Sequence, residues 1–130
     1  MKKRMTLAIA MGVCMALYGC VSREFQLKMS DAKMLNQGEL GQLFYADRRV
    51  EFSSPDGSAA VTYHSDGRQE IEWNNGKDSG SFRIENEQFC STWTKLRKGE
   101  ESCSKVYRID EKEYEFISSD GTYAATMRLK

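Results

Sequence analysis

This sequence of 130 residues is poor in the residues from which most catalytic and metal sites are built. It contains one histidine, one proline and four cysteines. The single histidine and two cysteines that are expected to form a disulfide cannot build the four-coordinate site of structural zinc, and His64 has no sequence neighbour that would orient it as a general base. Basic and acidic residues are equal in number, 19 of each, which excludes the basic surface typical of nucleic-acid binding. We therefore expect no metal, no cofactor, no nucleic acid and no catalytic site.

Long hydrophobic runs are also missing, except close to the N-terminus. Met5–Tyr18 is a stretch of fourteen residues without a charge, and it follows the three basic residues Lys2, Lys3 and Arg4. The stretch is too short to span a bilayer as a stable helix. A basic start followed by a short apolar run is typical of an export signal.

Cys20 follows this signal at the end of the run Leu17-Tyr18-Gly19-Cys20. Leu17 is too large for ordinary signal peptidase if the cut follows Gly19. The run resembles the lipobox of bacterial lipoproteins, in which the cysteine is diacylglycerylated, the chain is cut before it, and the new amine is acylated. The resemblance implies a signal peptide over residues 1–19 and a lipid anchor, such as palmitate, on Cys20. A soluble secreted protein cut after Ala16 is the alternative.

The residue after the anchor bears on the location of the protein. In the lipoproteins that this chain resembles, an aspartate there often retains the protein in the inner membrane, and here the residue is Val21. The resemblance therefore implies the outer membrane, with the domain facing the periplasm. From Cys20 onward the chain has 16 basic and 19 acidic residues, a net charge of −3. Acyl chains, rather than attraction to anionic lipid, must then supply the membrane affinity.

The remaining chain predicts one modest domain. Residues 20–28 have no regular period and predict a short tether, so the single β-rich domain would occupy residues 29–130. Ser30 is a good N-cap, and Gly38 stands where a helix usually stops. These signals predict one short helix over Asp31–Gln37.

From Leu40 onward, apolar and polar residues alternate in short runs. Asp-Gly and Asn-Gly pairs at 56–57, 66–67, 75–76 and 120–121 separate many of these runs and are strong hairpin signals. The pattern predicts an antiparallel meander of eight or nine strands. We expect a small barrel or strongly curved sheet, with the helix covering one opening. A two-sheet sandwich is the alternative.

Cys90 and Cys103 form the one plausible disulfide of the exported chain. Acylation would block the thiol of Cys20, and export places the chain in an oxidising compartment. If they face each other across antiparallel strands, residues whose numbers add up to 193 are paired. Trp93 would then oppose Glu100, with a wide loop over Thr94–Gly99. The alternation places Cys90 on the sheet face opposite Phe89 and Trp93.

Two groups of residues are candidates for binding. Charged residues in the loop after Trp93 could contact a protein partner: they are Lys95, Arg97 and Lys98. Aromatic residues could line a cavity in the barrel, with a simple hydrophobic core as the alternative: they are Tyr63, Trp73, Trp93, Tyr107 and Tyr123.

A motif in the second half of the chain supports this fold. Gly80-Ser81-Phe82-Arg83-Ile84 precedes Cys90, Trp93 and Cys103, and Pro55-Asp56-Gly57 lies upstream. The pattern resembles small exported bacterial β-proteins of unknown function, which have a Gly-x-aromatic strand before a Cys, Trp, Cys cluster. The resemblance supports the barrel and the disulfide and brings no mechanism.

These observations together predict a lipid-anchored protein of the cell envelope with a non-catalytic binding or structural role. Its partners would be the membrane, through Cys20, and an envelope protein or a small apolar ligand. A carrier or sensor of a small apolar ligand within the barrel is one alternative. An inhibitor of a secreted enzyme, acting through the loop that contains Lys95, is another.

Overall fold

The computed structural model describes residues 22–130, so the expected signal peptide and Cys20 lie outside the described residues. The described chain is one antiparallel sheet of nine strands with two short helices. The helices are α1 (Arg23–Met29) and α2 (Gln37–Phe44). The strands are β1 (Lys33–Met34), β2 (Arg48–Ser54), β3 (Gly57–Tyr63), β4 (Arg68–Trp73), β5 (Gly76–Glu85), β6 (Gln88–Trp93), β7 (Ser102–Arg108), β8 (Glu113–Ser118) and β9 (Tyr123–Arg128).

Strands β2 to β9 form a closed up-and-down barrel, which confirms the predicted meander and excludes the sandwich. Each strand pairs with the next along the chain, and β9 pairs back with β2 through Phe52 and Met127. Closure leaves no unpaired strand edge among these eight strands. The two-residue strand β1 lies outside the meander and adds to the end of β7, where Lys33 faces Arg108.

The predicted helix over Asp31–Gln37 is wrong: residues 31–36 are not helical, α1 ends before them, and α2 begins at Gln37. Ser30 ends α1, and Asp31 has a left-handed backbone with φ of 64° that a right-handed helix does not tolerate. The N-cap of α2 is Asn36, whose side chain accepts from the Glu39 backbone N–H in a capping box. Gly38 lies in the first turn of this helix rather than at its end.

Residues 23–28, assigned above to the tether, are also helical and belong to α1. Ser22 caps α1 by accepting a hydrogen bond from the Phe25 backbone N–H. The helix lies on the outer wall of the barrel, where Leu27 packs with Tyr107 and Ile117 in a small buried cluster. Neither α1 nor any other helix in residues 22–130 is long and apolar enough to cross a membrane.

Helix α2 closes one end of the barrel. Its residues Leu40, Leu43 and Phe44 are buried in the main core. The Phe44 ring lies 4.2 Å from that of Phe89 and 5.1 Å from that of Tyr63, measured between centroids. Large aromatic side chains therefore fill the half of the barrel nearest to α2.

The disulfide between Cys90 and Cys103 is present, and its register confirms the predicted one. Cys90 faces Cys103 and Ser91 faces Ser102, so the paired numbers add up to 193. Phe89 and Trp93 belong to the core inside the barrel. Cys90 alternates with them along β6 and therefore lies on the outer face of the wall.

Candidate functional site

The end of the barrel opposite α2 is open and leads into a cavity of about 740 Å³. Its mouth is formed by the turn between β2 and β3 at Asp56, the turn between β4 and β5 at Asn74 and Asn75, and the loop between β6 and β7 at Leu96 and Arg97. These three connections lie at the same end because consecutive antiparallel strands alternate in direction.

The cavity exists because the inward positions near the open end are small. Ala59, Ser91, Ser102, Ser104 and Ala125 all line it. The other half of the barrel carries large inward residues, among them Tyr63, Phe82 and Met127. Filling the cavity would need bulkier inward side chains at the open end.

Three of the five predicted aromatic residues, Tyr63, Trp73 and Trp93, line the cavity. The prediction for Tyr107 is wrong: this side chain is only 1 % exposed, but it lies under α1 on the outer wall. Its neighbour Val106 takes the inward position on β7. Tyr123 is not in the lining either, and its hydroxyl lies 2.6 Å from the Thr126 hydroxyl.

The charged loop after Trp93 exposes its three basic side chains, Lys95, Arg97 and Lys98. Arg97 lines the mouth of the cavity, where its Nη2 donates to both the carbonyl and the hydroxyl oxygen of Ser91 at 3.0 Å. Arg97 and Lys98 both have left-handed backbones, with φ of 54° and 56°.

Asp78 on β5 holds this loop in place, a role that the sequence analysis missed. One of its oxygens accepts from the backbone N–H groups of Lys95 and Leu96, each at 2.9 Å, and the other accepts from Ser79 at 2.8 Å. Burial alone would raise the pKa of the Asp78 carboxyl, but these three donors together hold the pKa below its usual value. The only signal in the sequence is an acid at an inward position of a strand.

The cationic group at the mouth has no acidic partner in residues 22–130. Arg97 forms no ion pair there, in contrast to Arg83, which contacts Glu101 on the outer wall. Burial lowers the pKa of Arg97, although a guanidinium stays charged at physiological pH. The site thus combines an apolar interior with a mouth that carries the Arg97 guanidinium, the Asp56 carboxylate and several serine hydroxyls.

The interior also contains a buried polar side chain, the amide of Gln69. Its nitrogen donates to the Ser81 carbonyl at 3.1 Å, and its oxygen has no partner in the described part of the chain. Tyr63 is also buried, and burial raises the pKa of its phenol well above the usual value. The phenol therefore stays neutral over the physiological range.

His64, the single histidine considered above, lies away from the cavity. His64 is at the end of β3, with its Nε2 3.5 Å from a Glu70 carboxylate oxygen, and neither residue lines the cavity. Comparisons of the chain with protein-family models, with curated proteins and with solved structures find no match, so the cavity itself is the basis for assigning a function.

Proposed function

We propose that this protein is a lipid-anchored protein of the bacterial cell envelope that binds a small, mainly apolar ligand inside its barrel. The observation that carries the proposal is the open cavity of about 740 Å³ between Phe52, Trp73 and Trp93. Its volume lies in the range of roughly 300 to 1,000 Å³ that is typical of small-molecule sites.

A purely structural barrel gives no reason for such a cavity. Small inward residues forgo the dispersion contacts and apolar burial that larger ones would provide, which costs stability. Ala59 and Ala125, for example, face the cavity at positions where a leucine or phenylalanine would fill it. A binding role explains why the space is kept open.

The mouth of the cavity indicates which end of the ligand faces outward. Aromatic walls favour an apolar body, whereas the Arg97 guanidinium and the Ser91 hydroxyl favour an oxygen-rich or anionic group at the mouth. We therefore propose an amphiphile that enters with its apolar part first.

Titration with the apolar dye phenylnaphthylamine tests this proposal. The only two tryptophans of the chain, Trp73 and Trp93, both line the cavity, so their fluorescence should fall in a saturable manner as the dye binds. The titration uses residues 20–130 with the substitution Cys20→Ala, produced without residues 1–19 so that neither the apolar signal nor an acyl chain is present. Absence of saturable quenching, or quenching that a fatty acid does not compete away, would speak against the proposal.

The lipid anchor is tested by intact mass spectrometry of the membrane fraction. We expect a mature chain that begins at Cys20, carries acyl chains on that residue and lacks the two hydrogens of the Cys90–Cys103 disulfide. The Cys20→Ala variant should lack the acyl chains. Unmodified wild-type protein in the soluble fraction would contradict the anchor.

A further inference from the structure

The outer face of α1 carries an apolar surface that the barrel does not cover. Phe25 and Met29 are 49 % and 70 % exposed. They are four residues apart and so lie on the same side of the helix. The buried residue Leu27 lies on the opposite side, against the barrel wall. This exposed pair, Phe25 and Met29, is referred to below as the α1 outer face.

Helix α1 begins at the open end of the barrel. The Glu24 backbone N–H donates to the Gly121 carbonyl at 3.1 Å. Gly121 is in the turn between β8 and β9, and this turn lies at the same end as the β6–β7 loop because the strands alternate in direction. The start of the helix and the mouth of the cavity therefore lie at the same end of the molecule, and α2 lies at the other.

The proposed anchor is very close to this end in sequence. One residue, Val21, separates Cys20 from the helix cap Ser22. Two residue steps span at most about 7 Å of extended chain. An acylated Cys20 would thus hold the membrane surface close to the N-terminus of α1, with no long spacer that would let the domain turn away.

We infer that the α1 outer face rests on the bilayer and that the cavity mouth opens at the membrane surface, where it takes up a single-chain amphiphile with an anionic head from the bilayer. Phe25 and Met29 would lie in the interfacial layer, as the apolar residues of membrane-surface helices do. Arg97, at the same end, would then meet the head of the ligand. This inference rests on the proposed function and on the proposed anchor.

Orientation on the membrane can be measured with tryptophan probes at two exposed aromatic positions. Phe25→Trp places a probe on the α1 outer face, and Tyr45→Trp places one at the closed end, where Tyr45 is 42 % exposed. Each lipidated variant is reconstituted into phosphatidylcholine vesicles with brominated acyl chains, and the signal of the parent is subtracted. We expect strong quenching of the probe at residue 25 and little at residue 45. Equal quenching at both positions, or none at either, would overturn the inference.

The source of the ligand is tested separately with a bromine-labelled fatty acid and the native tryptophans of the cavity. Lipidated wild-type protein in unbrominated vesicles that contain this fatty acid should lose Trp73 and Trp93 fluorescence, because the fatty acid passes from the bilayer into the cavity. Residues 20–130 with Cys20→Ala, produced without residues 1–19, are titrated with the same fatty acid in water. Quenching in water but not on vesicles would overturn this inference alone, whereas absence of quenching in both would overturn the proposed function too.

Discussion

The carboxylate of Glu24 accepts a hydrogen bond of 2.6 Å from the hydroxyl of the buried Tyr107. The Lys105 ammonium lies 3.0 Å from the same carboxylate oxygen. Beside this group, Arg23 makes two hydrogen bonds of 2.7 Å to Glu115. These contacts attach α1 to strands β7 and β8, so the segment next to the proposed anchor is part of the folded domain.

Replacing Glu24 with glutamine should weaken the attachment of α1. The hydrogen bond from Tyr107, followed by that from Lys105, lowers the pKa of this carboxyl against the opposing effect of burial. A charge-assisted hydrogen bond contributes about 1.5 to 3 kcal/mol. We expect Glu24→Gln to lower the free energy of unfolding by about that amount in urea denaturation, with faster hydrogen exchange in α1. Glu51→Gln, at a mostly exposed carboxylate, is the control and should change little.

The same carboxylate makes stability depend on pH. Because its pKa is lower in the folded than in the unfolded state, where it is near 4.5, its contribution is fully present above that value. The contribution is lost as the pH falls through the lowered folded pKa. The difference in unfolding free energy between wild type and Glu24→Gln should therefore shrink on acidification below about 4.5. A difference that grows on acidification would contradict this assignment.

Gly80→Ala should destabilise the barrel, because β5 and β6 approach each other closely at this residue. A Cβ at residue 80 would lie 2.0 Å from the Thr92 carbonyl oxygen and 2.9 Å from the Trp93 Cα. Relief would require the strands to separate, and such overpacking costs about 1 to 3 kcal/mol. Gly41→Ala in α2 is the matched control: its nearest atom is 4.0 Å away, so we expect no loss of stability there. Equal midpoints of thermal unfolding for the two variants would refute the explanation.

Removing the disulfide should affect stability more than binding. Cys90 and Cys103 link adjacent strands across 13 positions of sequence on the outer wall. A loop of this size contributes about 3 kcal/mol in the chain-entropy model. The double variant Cys90→Ser, Cys103→Ser should unfold at lower urea concentration and, where still folded, bind phenylnaphthylamine with little change in affinity. A large loss of affinity in the folded variant would show that the disulfide shapes the cavity.

Asp78→Asn should loosen the loop that presents Arg97. The variant keeps the size of the side chain but removes the charge that holds the Lys95 and Leu96 amides. We expect faster hydrogen exchange at these two amides and weaker binding of a fatty acid, with smaller effects on an uncharged alcohol of equal chain length. Asp56→Asn, at the mouth but outside this network, is the control.

Because hydrogen bonding lowers the Asp78 pKa from 3.8, wild type should keep the loop ordered above that pH and lose this order only as the pH falls further.

The sequence predicted the barrel well because its strands alternate clearly over most of their length. The failures lie where alternation and turn signals are ambiguous. Val106 and Tyr107 are adjacent apolar residues, so the pattern alone did not decide which one faces inward. The turn between β5 and β6 has left-handed backbones at Asn86 and Glu87, and because neither residue is glycine this turn has no glycine signal in the sequence.

The helices and the cavity were harder to predict for physical reasons. Ser30 and Asn36 are both good caps, and the capping box with Glu39 decides in favour of the second. The direction of Arg97 depends on Asp78, which is distant in sequence and is brought to the loop only when the strands pair. The cavity itself follows from small inward residues at one end of four different strands, a pattern visible only once their register is known.

The most direct test of the account compares two phenylalanine substitutions at adjacent positions of β3. Ala59 lines the cavity opposite Phe52, whereas Ala60 alternates to the outer wall, opposite Glu51. Both variants are titrated with phenylnaphthylamine after circular dichroism has verified folding. The account predicts that Ala59→Phe fills the cavity and weakens binding at least tenfold, equivalent to about 1.4 kcal/mol, while Ala60→Phe binds like wild type. Unchanged binding by a folded Ala59→Phe variant would contradict the proposal that the barrel interior is the ligand site.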